Sequence, residues 1–319
     1  MRNIICVFFF ICTTAFSQNY ELVDKIVRNY PSYSNLETLS KRIKNDFKTE
    51  ATKARAAYTW IATNINYDIE TTKKPKVFNT YMYFSERDYE RQMKARLKRK
   101  VKMALMTKKA LCEGYSAMFV ELCDLLNLES IIVKGIAKVR PSEINSYKKT
   151  KNHAWNAIKI DGKWELVDVG WGNGFIDDIS GNWINDFNDF FFFTKPEHFI
   201  TSHYPELKKW QLLTKTINIK SFYEKPIFYP HYFNSNLVLN EQQKGSIKVS
   251  ERRIILNFNK KNKKDNLFYK LSGDKYIKSL KVIKNKEDSY NAIIYHNNNT
   301  NDILTLYVNL NPVLGFKIN

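Results

Sequence analysis

The spacing of apolar residues changes character along this chain, and the changes mark out its elements. From Asn19 to Thr49 apolar positions recur at helical spacing between polar breaks, which predicts short helices. Ala54, Ala57, Tyr58, Ile61 and Ile65 then predict a stronger helix over Ala51 to Ile65, stopped at Asn66-Tyr67-Asp68. Thr71 to Glu86 carries Pro75 and mixed signals and reads as a loop. A further helix is expected across the acid-free stretch from Arg91 to Lys109. It delivers the chain to a second stripe, Tyr115, Met118, Phe119, Leu122, Cys123 and Leu126, at steps of three and four.

Beyond that stripe the pattern turns to strands. Ser130 to Val139 is rich in β-branched residues and ends in a polar excursion from Arg140 to Lys151. His153 to Ile160 and Lys163 to Val169 flank Asp161-Gly162, and Asp-Gly between two such runs is the strongest short hairpin signal. From about Lys215 short runs recur at Thr216–Phe222, Ser246–Val249, Arg253–Phe258, Leu267–Leu271, Ser279–Ile283, Ala292–Tyr295 and Ile303–Val308. Polar clusters such as Asn259 to Asn266 and Asn297 to Asp302 separate them, a pattern that predicts a β-sandwich.

The amino terminus is different again. Met1-Arg2-Asn3, an apolar run from Ile4 to Cys12 and the small residues of Ala15-Phe16-Ser17 form the pattern of a secretory signal peptide. The expected organisation is therefore residues 1–17 as signal, 18–214 as a mixed helix–strand domain with amino-terminal helices, and 215–319 as an accessory β-domain. The mature protein is expected outside the cytoplasm: periplasmic, on the cell surface or secreted. No other apolar stretch approaches membrane-spanning length.

Removing the signal leaves Cys112 and Cys123. On one helix they would stand about 16 Å apart, too far for a disulfide. Cys123 falls on the apolar stripe and reads as core. Cys112 falls where the helix begins, facing free backbone N–H groups and the positive end of the helix dipole, which favour a thiolate. A lone cysteine on a helix is more often a small buried hydrophobe; the hairpin downstream changes that weighting. Counted from an Asp161-Gly162 turn, Ile160 faces Lys163, Trp155 faces Asp168 and His153 faces Gly170. His153 and Asp168 are then diagonal neighbours on one face, about 7–8 Å apart between backbones, within reach of a side-chain hydrogen bond. A carboxylate there orients the imidazole and stabilises its charged form.

Charge adds one more feature. The chain carries 51 Lys and Arg against 32 Asp and Glu, a formal net charge of +19. The sharpest cluster comprises Arg91, Lys94, Arg96, Lys98, Arg99, Lys100, Lys102, Lys108 and Lys109. It suits an anionic partner, such as an envelope polymer, or a field that stabilises a thiolate at Cys112; a solvated helix face is the plainer alternative. Aromatic interleaving of a nucleic-acid module is missing, and no nucleic-acid partner is expected.

Leu-Cys-Glu-Gly-Tyr-Ser at 111–116, Asn-His-Ala-Trp-Asn at 152–156 and Trp-Glu-Leu-Val-Asp-Val-Gly-Trp at 164–171 resemble the three core motifs of the transglutaminase-like superfamily. Tyr58-Thr59-Trp60-Ile61, leading to Asn64-Ile65-Asn66-Tyr67-Asp68, resembles the helix before its nucleophile. Phe190 to Leu213, ending in Trp210-Gln211-Leu212-Leu213, resembles the kyphoscoliosis-peptidase branch. The resemblance extends from about Ala51 to Phe222. It implies an α+β, papain-like core, with a nucleophile helix packed on an antiparallel sheet. It further implies Cys112 as nucleophile, His153 as general base and then acid, and Asp168 as the partner that orients the histidine. Trp155 and Trp171 are candidates to wall a substrate cleft, and Trp60 and Tyr67 to supply a second oxyanion donor beside the Cys112 N–H. The basic stretch before Cys112 is longer than the family's usual segment.

The expected activity is cleavage of protein or peptide amide bonds through a thioester. Transfer of the acyl group to an amine, or a non-catalytic binding role, are the alternatives. No cofactor is expected. His198 and His203 have no cysteine or acidic set beside them, so no metal site is expected and His203 reads as structural.

Overall fold

Side-chain caps begin the early helices. Asn35 and Thr49 accept the backbone N–H groups of Thr38 and Thr52 and so start α2 (Leu36–Asp46) and α3 (Glu50–Asn64), which follow α1 (Tyr20–Arg28). The computed structural model describes residues 20–73, 83–177, 181–262, 264–285, 289–296 and 302–319. The predicted signal segment and part of the expected Thr71–Glu86 loop lie outside the described residues. Helix α3 is buried along most of its length, and its Arg55 pairs bidentately with Asp24 at 2.8 and 2.6 Å, tying α1 to α3.

After α3 come β1 (Asn66–Tyr67), the short α4 (Ile69–Lys73) and the 22-residue α5 (Glu86–Thr107), which contains most of the basic cluster. The chain then forms β2 (Lys109–Ala110), parallel to β1, and enters α6 (Cys112–Leu125). Helices α1, α2, α3 and α6 share one apolar core with Ile158, Ile160 and Val167.

Those three residues belong to a four-stranded antiparallel sheet. Its strands are β3 (Ser130–Ala137), β4 (His153–Ile160), β5 (Lys163–Val167) and β8 (His203–Pro205), in the order β5-β4-β3-β8. Asp161 and Gly162 both have positive φ, 47° and 81°, as a type I′ turn requires. The register follows the count from that turn, with Ile160 opposite Lys163 and Asn156 opposite Val167. Past Val167 the chain leaves the sheet for α7 (Val169–Asn173), capped by Asp168. A small hairpin, β6 (Gly174–Ile176) and β7 (Trp183–Asn185), and the one-turn α8 (Pro196–Phe199) lead to β8. Val133, Trp155, Ala157, Leu166, Phe191 and Phe199 form a second apolar cluster around the sheet.

The carboxy-terminal region is β-rich. After α9 (Ile219–Glu224), β9 (Ile227–Phe228) and α10 (Pro230–Asn234), its strands form two sheets around one core. One has the order β10-β12-β16-β15, from Val238–Leu239, Arg253–Lys260, Tyr290–Tyr295 and Val282–Lys284. The other has the order β11-β18-β17-β13-β14, from Ser246–Ile247, Asn311–Ile318, Ile303–Val308, Leu267–Leu271 and Lys278–Ser279, with β9 on β18. Two expectations are corrected here, and one strand was missed. Thr216–Phe222 is not a strand, because Asn218 accepts the Ser221 N–H and starts α9. Ser279–Ile283 splits between the two sheets. Strand β18, which pairs with β17, β11 and β9, escaped the pattern because its interior residues are buried regardless of parity.

Lys138, just past β3, joins this region to the four-stranded sheet. Its buried Nζ donates to the Phe222 and Lys225 carbonyls, each at 2.7 Å. Gly135 is the tightest point of the sheet, lying opposite both His153 and Pro205. A Cβ there would stand 2.3 Å from the Tyr204 carbonyl oxygen and 2.5 Å from the Trp155 ring. Gly135→Ala is therefore expected to destabilise the fold by about 1–3 kcal/mol. Denaturant unfolding of the variant measures this, and an unchanged midpoint would contradict the packing described.

Candidate active site

Three elements bring the site together. Strand β4 supplies His153 at its first residue, the β5–α7 junction supplies Asp168, and α6 supplies Cys112 at its first residue. The parallel pairing of β2 with β1 fixes the approach to Cys112: Asn66 N–H donates to Lys108 O and Asp68 N–H to Ala110 O. Leu111, the N-cap, has no side-chain cap hydrogen bond, so no side chain covers the first N–H groups of α6 there.

Asp168 is 1% exposed and saturated with donors. Oδ1 accepts the Trp171 backbone N–H at 3.0 Å; Oδ2 accepts His153 Nε2 at 2.5 Å and His203 Nε2 at 3.0 Å. Burial raises the Asp168 pKa, but the charge and hydrogen bond of His153, with those of His203, outweigh it and hold the carboxyl well below its ordinary range. Burial likewise disfavours charge on His153, and the facing Asp168 carboxylate overrides that and pushes its pKa up. A carboxylate only accepts, so His153 Nε2 carries a hydrogen and Nδ1 is the nitrogen left to meet the thiol. For Cys112, burial raises the thiol, while the hydrogen bond and charge of His153 and the Ala154 backbone N–H bring it below its ordinary value. Cys112 is half-buried; Cys123 is buried, with its thiol pushed far up by desolvation.

The basic helix reaches this site through one residue. Arg96 and Lys100 of α5 and Lys134 of β3 converge on Glu113, next to the cysteine, at 2.9, 3.1 and 3.3 Å. Burial raises the Glu113 carboxyl, and these three cations more than offset it. Part of the cluster is thus internal wiring for the start of α6. Arg91, Lys94, Lys98, Arg99 and Lys102 remain exposed.

The two candidate cleft residues differ. Trp155 is 1% exposed and packs on Phe199 and His203, so its place is beneath the His153 ring; the expectation that it walls a cleft is corrected, because a ring without exposed surface cannot meet substrate. Trp171 is partly exposed, with its ring 5.4 Å from His153. Of the two candidate donors, Trp60 is buried and directs Nε1 to the Pro31 carbonyl. Tyr67 stacks on Trp183 at 4.1 Å, close enough to Cys112 for the thiolate charge to raise its phenol beyond the effect of burial.

Sequence reasoning missed the position of His203. It comes from an edge strand 35 residues beyond Asp168, and no local pattern signals that pairing. His153, Asp168 and His203 offer ligand-type atoms all within 4.8 Å, a set that could hold a metal ion by composition. In this arrangement both Nε2 atoms face one Asp168 oxygen, at 2.5 and 3.0 Å, as two donors to a carboxylate would.

A thiol at a helix start, an imidazole and a buried carboxylate in series define a papain-like thiol site. Residues 37–169, which include all three, match the family model of the transglutaminase-like superfamily. Over these residues the chain is similar to transglutaminase-like domains, and the curated relatives it matches include human and mouse kyphoscoliosis peptidase. The chain is 28% identical to human kyphoscoliosis peptidase over 233 residues, covering 73% of this chain and 32% of that protein. It is 27% identical to Hillarin of Drosophila melanogaster over 148 residues, covering 42% of this chain and 18% of that protein. The chain thus spans about a third or less of the length of these curated relatives. Among solved structures it is similar to that of a TGase, at 18% identity and a TM-score of 0.29, covering 60% of this chain and 40% of the other.

The electrostatics predict a thiol that reacts early in a pH titration. Cys112 should be alkylated by iodoacetamide well below the free-thiol pKa of about 8.5, while Cys123 stays unlabelled until the protein unfolds. His153→Ala should move the Cys112 profile up toward the free-thiol value. Wild-type labelling that rises only near that value would overturn the ion pair.

Proposed function

We propose that this chain is an exported thiol enzyme that cleaves protein or peptide amide bonds through Cys112, His153 and Asp168. The observation that carries the reading is the continuous path from the Cys112 thiol through the His153 imidazole to the buried Asp168 carboxylate. Export rests on the signal-like pattern ending near Ser17.

The chemistry follows from that path. The Cys112 thiolate attacks the amide carbonyl carbon, and the new oxyanion is met by the Cys112 backbone N–H at the start of α6. Tyr67, the remaining candidate donor, would offer its phenol hydrogen to the same oxygen. The His153 imidazolium gives its Nδ1 proton to the leaving amine as the C–N bond breaks, which leaves a thioester and a neutral imidazole. Nδ1 then takes a proton from water, the hydroxide oxygen adds to the thioester, and collapse expels the thiolate and releases the acid. Asp168 remains ionised throughout and stabilises the imidazolium whenever it forms. An amine in place of water would give transfer instead. The exposed basic face of α5 suits acidic substrates or an anionic envelope polymer near the site.

The test incubates the protein with unfolded casein, with and without a fluorescent primary amine, and follows cleavage and amine incorporation by mass spectrometry. New peptide termini are expected, with Cys112→Ala and His153→Ala each lowering the rate by on the order of 10³-fold or more. Amine incorporation without cleavage would reassign the activity to transfer. Neither product, on casein or on a peptide library, would leave the binding role in place of the enzyme.

A further inference from the structure

The second histidine on Asp168 has no place in the mechanism so far, although a buried imidazole on the same oxygen as the base is an expensive arrangement to keep. We propose that His203 is a positioning residue: its Nε2–H keeps the Asp168 carboxylate a pure acceptor and thereby holds His153 in the one tautomer that can take the Cys112 proton. The proposal rests on the reading of Cys112 and His153 given above.

The geometry supplies the argument. Asp168 and a neutral His153 can rest in two forms, which differ by one proton on the carboxyl and in the tautomer of the ring. With the proton on His153 Nε2, Nδ1 is an acceptor aimed at the thiol, and the imidazole can act as a base. With the proton on Asp168 Oδ2, Nε2 becomes the acceptor, and a neutral His153 must carry its hydrogen on Nδ1, facing the thiol with nothing to accept. His203 closes the second option. Its Nε2 lies 3.0 Å from Oδ2, the same oxygen that His153 meets at 2.5 Å, and Oδ1 is held by Trp171 N–H. A protonated Oδ2 would donate to His153 and be a poorer acceptor for the His203 N–H, so the hydrogen bond from His203 favours the ionised carboxylate. Because a carboxylate cannot donate, His203 can only be the donor in this pair.

The surroundings keep His203 in that role. Ser202 Oγ lies 2.8 Å from its Nδ1, which a neutral, Nε2-protonated ring uses as an acceptor. The ring is 0% exposed and packed among Phe199, Trp171 and Trp155 at 4.0, 4.3 and 5.1 Å between centroids. Burial pushes its pKa down to about 4, against the opposing pull of Asp168, so it stays neutral while His153 charges. The sheet places the two rings on either side of one strand: His153 pairs with Gly135 of β3 and His203 with Ala137. The other titratable groups that feel the Asp168 charge are Cys112 and the phenols of Tyr58, Tyr67 and Tyr115, all three phenols raised above their ordinary value chiefly by burial.

The experiment reads proton positions directly and then their consequence. Long-range proton–nitrogen NMR on histidine-labelled full-length protein should show His203 as the neutral Nε2-H tautomer from pH 5 to 8. An Nδ1-H tautomer, or a protonated His203 in that range, would overturn the proposal without any variant. The pH midpoint of Cys112 alkylation by iodoacetamide is the second readout. His203→Phe removes the donor and raises the carboxyl pKa, so the ion pair should collapse earlier on acidification and the midpoint should move up by about one unit. His203→Gln, which can present an N–H at the same place, should restore most of it. Ser202→Ala, which leaves the ring in place and frees its tautomer, should move the midpoint the same way by less. A merely structural histidine would lower the labelled fraction or the unfolding midpoint and leave the pH midpoint where it was; that result in His203→Phe, or in Ser202→Ala should His203→Phe not fold, sinks the idea. Failure of wild-type Cys112 to label below the ordinary thiol range would instead count against the thiol enzyme, with the His203 tautomer still readable.

Discussion

A buried negative charge is tolerated only when its acceptor sites are filled, and the amino-terminal domain of this protein is built around filling those of Asp168. The carboxylate draws one donor from each of three places: the helix it caps, the first residue of β4, and an edge strand added after a long excursion. That requirement explains local features that otherwise look unrelated. Strand β5 has to end at Val167 so that Asp168 can turn out of the sheet and cap α7. Gly135 has to lack a side chain so that β8 and the Trp155 ring can close on β3. The aromatic residues around His203 exclude water from a group that must stay neutral.

The opposite problem arises at Cys112, where negative charge should be available and not locked away. Its stabilisers are a mobile proton on His153 and the Ala154 backbone N–H, while the nearby cations are already engaged. Arg96, Lys100 and Lys134 are spent on Glu113, which spares the thiolate a permanent salt bridge that would quench its nucleophilicity. The net charge of the chain therefore says little about the field at the sulfur; the distribution of a few partners decides it.

How much of this could be read from the sequence depended on how local the determinant was. The cysteine at a helix start and the hairpin register were both legible, because each rests on a short window: a stripe at steps of three and four, and a two-residue turn whose φ values only certain residues adopt. Counting placed Asp168 opposite Trp155 and Gly170 opposite His153; the ladder stops at Val167, and Asp168 meets His153 from the cap of α7 instead. His203 was not legible, since its pairing with β3 is a tertiary event with no periodic mark in a three-residue strand. Trp155 was placed on the correct strand face but at the wrong depth, because alternation gives a side and not what covers it. Strand β18 was invisible for a related reason: buried on both faces, with Pro312 and Gly315 inside it, it lacks the alternation that reveals a half-exposed strand.

One modest feature has consequences for how such proteins diversify. The two-residue parallel ladder between β1 and β2 joins Asn66 to Lys109 and Tyr67 to Ala110, so everything from Asp68 to Lys108 leaves and returns at nearly the same point. The ends of the excursion are thus held by the ladder and not by what lies between them. Helix α5 is tied to the domain through Val101 and Ala104 in the core and through Arg96 and Lys100 on Glu113, while its outer face is exposed. A lineage can recolour the charge of that outer face while the ladder keeps presenting Cys112 to His153, which lets selection rewrite what approaches the sulfur without rewriting the residues behind it.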